Sequence, residues 1–192
     1  MGSRALRNWQ TRSRKVLDEV EAAHTVVGGG RGARAFARQQ INQAYVVLLS
    51  SQFQRFCRDL HDEAAEYLVS RPEHAPLNAL VRELLTSGRK LARGNATPSN
   101  IGADFERLGI SFWDEVRASD SRNATRQRRL EELNTWRNAI AHQDFTSPSL
   151  NGADQVSLAQ VRRWRSACST LAVEFDRVLR LFLRKFYGTD PW

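Results

Sequence analysis

Ala44-Tyr45-Val46-Val47-Leu48-Leu49 is apolar on every side of a helical wheel. A surface helix keeps one polar face, so a segment without one has to be enclosed by other elements. Apolar residues recur at helical spacing on both sides of it: Phe36 and Ile41 before, then Phe53, Phe56, Leu60, Tyr67 and Leu68 after. This spacing predicts a helix over about 33–69, ended by Pro72 and Pro76, as the buried axis of the domain.

The remaining segments supply a shell. Leu6, Trp9, Val16, Leu17, Val20 and Ala23 share one stripe of a helix over 4–26. Gly28-Gly29-Gly30-Arg31-Gly32 breaks it. With no strand before it and no Lys-Ser/Thr after it, that run reads as a flexible interhelical turn rather than a phosphate loop. Leu77, Leu80, Val81, Leu84, Leu85 and Leu91 predict a third helix, stopped near Gly94. Turn residues dominate 94–125, where Pro98 opens a short helix with Ile101, Phe105 and Leu108. Phe112, Trp113 and Val116 either form one further turn or dock on the core. A helix over 121–142 carries Leu130, Leu133, Trp136 and Ile140 and gives way to a non-helical loop at 143–152. Ser157 then caps a last amphipathic helix, 158–187. No segment alternates with the period of a strand. The expected fold is an all-α bundle of five to seven helices in one domain, 1–192, with 1–32 an N-terminal helical extension and Gly-rich turn and 33–187 the core.

Composition narrows the classes of function. No apolar run approaches the roughly 18 residues of a bilayer span, and the first residues lack the apolar core of a signal peptide, so a cytoplasmic protein without a membrane partner is expected. The net charge of +8 favours a polyanionic partner, nucleic acid before anionic lipid. Only three of the 29 basic residues are Lys, a bias that GC-rich coding also produces, so charge alone decides little. No helix carries a basic face free of acids, which argues against a membrane surface. Cys57 and Cys168 read as buried hydrophobes in a reducing compartment rather than a disulfide. Two lone Cys and the scattered His24, His61, His74 and His142 give no ligand spacing, so neither metal nor cofactor is expected. His24, His61 and His74 read as surface or interhelical residues. Trp136 and Trp164 read as core, while Trp113 is open between core and base stacking.

Chemistry concentrates in Trp136-Arg137-Asn138-Ala139-Ile140-Ala141-His142. Here a cation, an amide and a titratable ring lie at a helix end with only small or apolar residues between them. Imidazole transfers protons near neutral pH, guanidinium offers a planar fork to phosphate oxygens, and the amide can hold a phosphate or fix the imidazole tautomer. The bland alternative is that Arg137 and His142 merely complement the negative end of a helix. At about 100° per residue, Arg137 and His142 stand roughly 140° apart around the axis, whereas Asn138 and His142 are about 40° apart. One copy therefore makes a poor composite site, and a two-fold partner is expected to complete it. Arg126, Arg128 and Arg129 either track an RNA backbone or form a solvated face balanced by Glu131 and Glu132.

Arg137-Asn138-Ala139-Ile140-Ala141-His142 resembles the Arg-x-x-x-x-His signature of the HEPN superfamily, in which Asn commonly follows the Arg. Tyr45-Val46-Val47-Leu48-Leu49-Ser50-Ser51-Gln52-Phe53-Gln54-Arg55-Phe56-Cys57-Arg58-Asp59-Leu60 resembles the long apolar helix of its RiboL-PSP-like branch, and the likeness covers about 35–187. Two positions depart from the pattern. Relatives often carry an acid near Gln54, and another branch carries a Tyr two residues after the His, where this chain has Asp144.

The resemblance implies a helical domain that dimerises through the motif face. It further implies a metal-independent endoribonuclease acting as a toxin or in defence against phage, with RNA (tRNA or mRNA) as substrate and an antitoxin or defence-system protein as partner. Arg137, Asn138 and His142 would be the catalytic residues. The rival reading is a non-catalytic interaction module that binds RNA, a nucleotide or a protein.

Overall fold

The computed structural model describes residues 2–28, 32–70 and 75–192. All its regular structure is helical: α1 (Arg4–Asn8), α2 (Arg14–Val27), α3 (Ala33–Leu68), α4 (Ala75–Thr86), α5 (Lys90–Arg93), α6 (Pro98–Glu106), α7 (Phe112–Ser119), α8 (Asn123–His142) and α9 (Leu158–Tyr187). A π-helical turn at Trp9–Ser13 joins α1 to α2 without a break, and one 3-10 turn, Pro148–Leu150, interrupts the loop before α9. The all-α bundle is thus as expected. Counting α1 and α2 as one continuous helix, eight are described, one more than the expected range. The extra one arises at Gly88, whose φ of 67° ends the third helix early and leaves α5 as a separate turn. Pro76 lies in the first turn of α4, where a missing N–H is tolerated, and Pro72 lies outside the described residues. Gly28 and Gly32 both have positive φ, and the three residues between them lie outside the described set.

Helix α3 is the axis. Tyr45, Val46, Leu49, Phe53, Cys57, Leu60 and Ala64 are wholly buried along it. It packs against α1, α2, α4, α5, α6, α8 and α9. Helix α1, the π-helical turn and α2 bury Leu6, Trp9 and Leu17 respectively in that same core, so the N-terminal segment is integral to the bundle rather than appended. Backbone bonds seat its start: Ser3 N–H donates to the buried Asp176 carboxylate at 2.8 Å, and Arg4 and Ala5 N–H groups donate to Glu63.

The turn-rich middle of the chain also feeds the core. Phe105 stacks on Phe112 at 4.2 Å, and Phe175 of α9 meets both Phe112 (4.8 Å) and Trp113 (5.3 Å) edge-on. Trp113 is therefore core, its indole N–H donating to Pro98 O at 2.7 Å. Gly102 permits this approach, because a Cβ there would stand 3.1 Å from the Trp113 ring. Trp164 is fully buried, and Trp136 packs half-buried between it and Phe145. Cys57 and Cys168 are buried free thiols, and burial pushes both well above the ordinary thiol range. Among the described residues, no helix is long and apolar enough to cross a membrane.

His61 is interhelical and fully buried, His24 is half-buried between helices, and His74 lies outside the described residues. His61 Nε2 donates to Asp104 O at 3.0 Å, and its Nδ1 accepts from Arg89 Nη1 at 3.1 Å, which fixes a neutral tautomer. Burial first, and the Arg89 charge second, lower its pKa to about 4. Between about pH 6.5 and 4 the unfolded chain binds a proton that the folded chain refuses, so stability falls as pH drops through that window. The expected loss is roughly 2–4 kcal/mol. His61→Gln keeps one donor and one acceptor but cannot titrate. Its melting temperature should depend less steeply on pH from 7 to 4 than that of the native chain, and equal slopes would contradict the assignment.

Candidate active site

Helix α8 stays regular through His142 and then stops abruptly. Asp144 N–H donates to Ala139 O at 2.9 Å and Gln143 N–H to Ile140 O at 3.3 Å, the paired bonds of a Schellman turn. Gln143 takes the left-handed conformation this requires (φ 53°, ψ 34°), and its side-chain amide donates to Ile140 O at 2.8 Å. The helix therefore reaches His142 with its angular register intact, and the expected separation between Arg137 and His142 around the axis stands.

The side chains partly offset that separation. Asn138 Oδ1 accepts from Arg137 Nη1 at 3.2 Å, which draws the guanidinium towards the face that Asn138 shares with His142. The same oxygen accepts from Asn95 Nδ2 at 2.6 Å. With its oxygen doubly engaged, the Asn138 amide has its N–H groups left to donate outward. The His142 ring is exposed, and none of the described residues hydrogen-bonds it. Asp144 follows it closely. Its carboxyl lies below the usual range because the Thr146 hydroxyl and backbone N–H bind it, with a smaller contribution from His142.

Asn95 went unrecognised in the sequence. It sits in the short loop between α5 and α6, which two amides hold from opposite sides. Gln54, on α3, donates to both Leu91 O (2.8 Å) and Gly94 O (2.7 Å). Asn134, buried on α8 one turn before Asn138, donates to Ala96 O at 2.9 Å. The departure at Gln54 thus has a physical reason, since a carboxylate there could donate to neither carbonyl. The loop's next residue but one, Thr97, caps α6 by accepting from Asn100 N–H.

The three arginines upstream do not gather at the motif. Arg126 is 13% exposed and wedged between Asp120 (2.8 Å) and Asn123 (2.6 Å), where it braces the α7–α8 corner. Arg128 is exposed, touches Thr125, and lies about 180° around the axis from Arg137. Arg129 is half-buried, about 80° from Arg137. Among the described residues no three His, Cys, Asp or Glu side chains converge as a metal site.

A family model described as RiboL-PSP-HEPN matches residues 11–180. Comparison with curated proteins and with solved structures finds no match. The family match spans most of the chain, from the π-helical turn to the last turns of α9, and agrees with an all-α bundle wound on one long apolar helix. The chain belongs to the RiboL-PSP branch of the HEPN superfamily.

Proposed function

We propose that the protein is a metal-independent endoribonuclease of the HEPN type, a toxin or phage-defence effector, whose site is completed across a homodimer. The observation that carries this reading is the exposed end of α8. There a guanidinium bound to Asn138, an exposed amide and an exposed imidazole lie within six residues of one another along the chain. In the reaction, the 2′-oxygen of the substrate attacks the adjacent phosphorus while a His142 ring takes its proton. The bond from phosphorus to the 5′-oxygen breaks, and that oxygen takes a proton from imidazolium. The products are a 2′,3′-cyclic phosphate and a 5′-hydroxyl. Arg137 and Asn138 bind the phosphoryl oxygens as negative charge builds on them. Two copies meeting at their α8 ends would supply two imidazoles, one as base and one as acid.

Purified protein should cut single-stranded RNA or tRNA in the presence of EDTA, leaving cyclic-phosphate and 5′-hydroxyl ends. His142→Ala and Arg137→Ala should each lower the rate by about 10²-fold or more, with melting temperature unchanged. Normal cutting by both variants would remove Arg137 and His142 from the active site, whereas binding without cutting by the native protein would make the chain a non-catalytic binding module. An excess of His142→Ala chains should suppress the activity of native chains, as one cleft built from two copies requires. Unchanged specific activity in the mixture would mean that each copy works alone. Gln54→Glu should cost about 2–4 kcal/mol in denaturant unfolding, because two carbonyls lose their donor and gain a facing carboxylate. Asn95→Ala, by contrast, should slow cutting by about tenfold with little change in stability, and activity equal to native would remove Asn95 from the site.

A further inference from the structure

A groove of about 690 Å³ runs along α8 between that helix and the segment leading into α9. Its walls include Arg128, Glu132, Thr135 and Trp136 from the helix, and Asn151 and Gln155 from the opposite side. The volume lies within the range of small-molecule sites, roughly 300–1,000 Å³. The far wall is firmly seated: Leu150 and Val156 are buried, Ala153 N–H donates to Leu150 O at 2.9 Å, and Asn42 of α3 donates to Val156 O at 2.9 Å.

Two features decide what fits there. One is direction. Thr135 and His142 are seven residues apart on a regular helix, so they stand within about 20° of each other around the axis and about 10 Å apart along it. The groove consequently opens along α8 on the face that ends in His142, with Asn138 about 60° to one side. The other is charge. A single guanidinium, Arg128, faces Glu131 and Glu132, and the Glu132 carboxylate already accepts from the Trp164 indole at 3.1 Å. Such a lining has no surplus of positive charge to select a phosphate. It offers instead neutral amides, hydroxyls and the flank of a half-buried indole, which suit an uncharged planar group with hydrogen-bonding edges.

We infer that this groove is a nucleobase subsite, which holds a base flanking the bond cut at His142 and sets the sequence preference of cleavage. The inference rests on the ribonuclease reading for its consequence but not for its binding chemistry. Thr135→Phe fills the groove from an accessible position, and Gln155→Ala removes one exposed amide without filling it. Nitrogen-15 spectra of the His142→Ala protein, titrated with each of the four ribonucleosides and separately with inorganic phosphate, report on the Trp136 indole and the Asn151 and Gln155 amides.

At least one nucleoside should shift these signals saturably and phosphate should not, with Thr135→Phe abolishing the response. On an RNA of mixed sequence, native protein should favour particular bases beside the cut. Thr135→Phe should weaken that preference by about tenfold or more, with Gln155→Ala in the same direction. Signals that no nucleoside moves, or that phosphate moves alone, would overturn the subsite. So would an unchanged base preference in folded Thr135→Phe protein that still cuts RNA. Nucleoside binding in a protein that cuts no RNA would uphold the subsite and overturn the ribonuclease reading.

Discussion

A long helix that is apolar around most of its centre has to be covered on most sides, and that requirement organises this molecule, although Ala44 stays exposed and Val47 and Leu48 are only half-buried. Between Tyr45 and Leu60 only one strip of α3, with Ser51, Arg55 and the Arg55–Asp59 ion pair, is left to water; α1, α2, α8 and α9 are laid along the rest, and the short α5 and α6 add to the cover. The shell is dense with rings because the elements are short. Phe105, Phe112 and Trp113 come from segments of nine and eight residues that would not hold helical form alone, and they gain it by stacking on Phe175 and on one another. Polar groups inside this shell are few and each has a specific task. His61 and Arg89 join α3 to the start of α5, and Asp104 caps that start by accepting from the Lys90 and Leu91 N–H groups.

The motif end of α8 is arranged by amides rather than by ion pairs. Gln54 and Asn134 grip the α5–α6 loop from the two core helices, and the loop then hands Asn95 to Asn138. Neutral holders leave the Arg137 charge uncompensated, which suits the proposed contact with a phosphate. Carboxylates in the same places would offset that charge. Arg126, further back, shows the opposite arrangement, since its charge is consumed by Asp120. Asp120 is itself held far below the usual carboxylate range by Arg122 and Arg126.

Periodicity made the long elements legible. Helix α3 was expected at 33–69 and runs over Ala33–Leu68, α8 ends at His142, and α9 begins after the Ser157 cap. Each of these carries enough turns for its apolar stripe to declare itself. The shorter pieces were harder because their form depends on distant partners. Gly88 splits a helix whose leucine spacing continues unbroken across it, and Trp113 reveals its place only through Phe175 and the Pro98 carbonyl. Of the candidate site, Arg137, Asn138 and His142 were readable because they are neighbours in sequence. Asn95 was not, because its partner is 43 residues away and an amide pair leaves no periodic trace. The role of Gln54 was hidden for the same reason, as its acceptors are backbone carbonyls on another element.

The two cysteines have a practical consequence. Cys57 and Cys168 lie at zero exposure in the core, with thiols that burial keeps protonated near neutral pH. The unaltered chain is therefore already a silent background for thiol-directed probes. One cysteine substituted on the exposed side of α8 can carry a spin label or a dye with neither native cysteine removed. Whether two copies meet at that end, as the proposed dimer requires, can then be read as a distance on a molecule whose core cysteines are untouched.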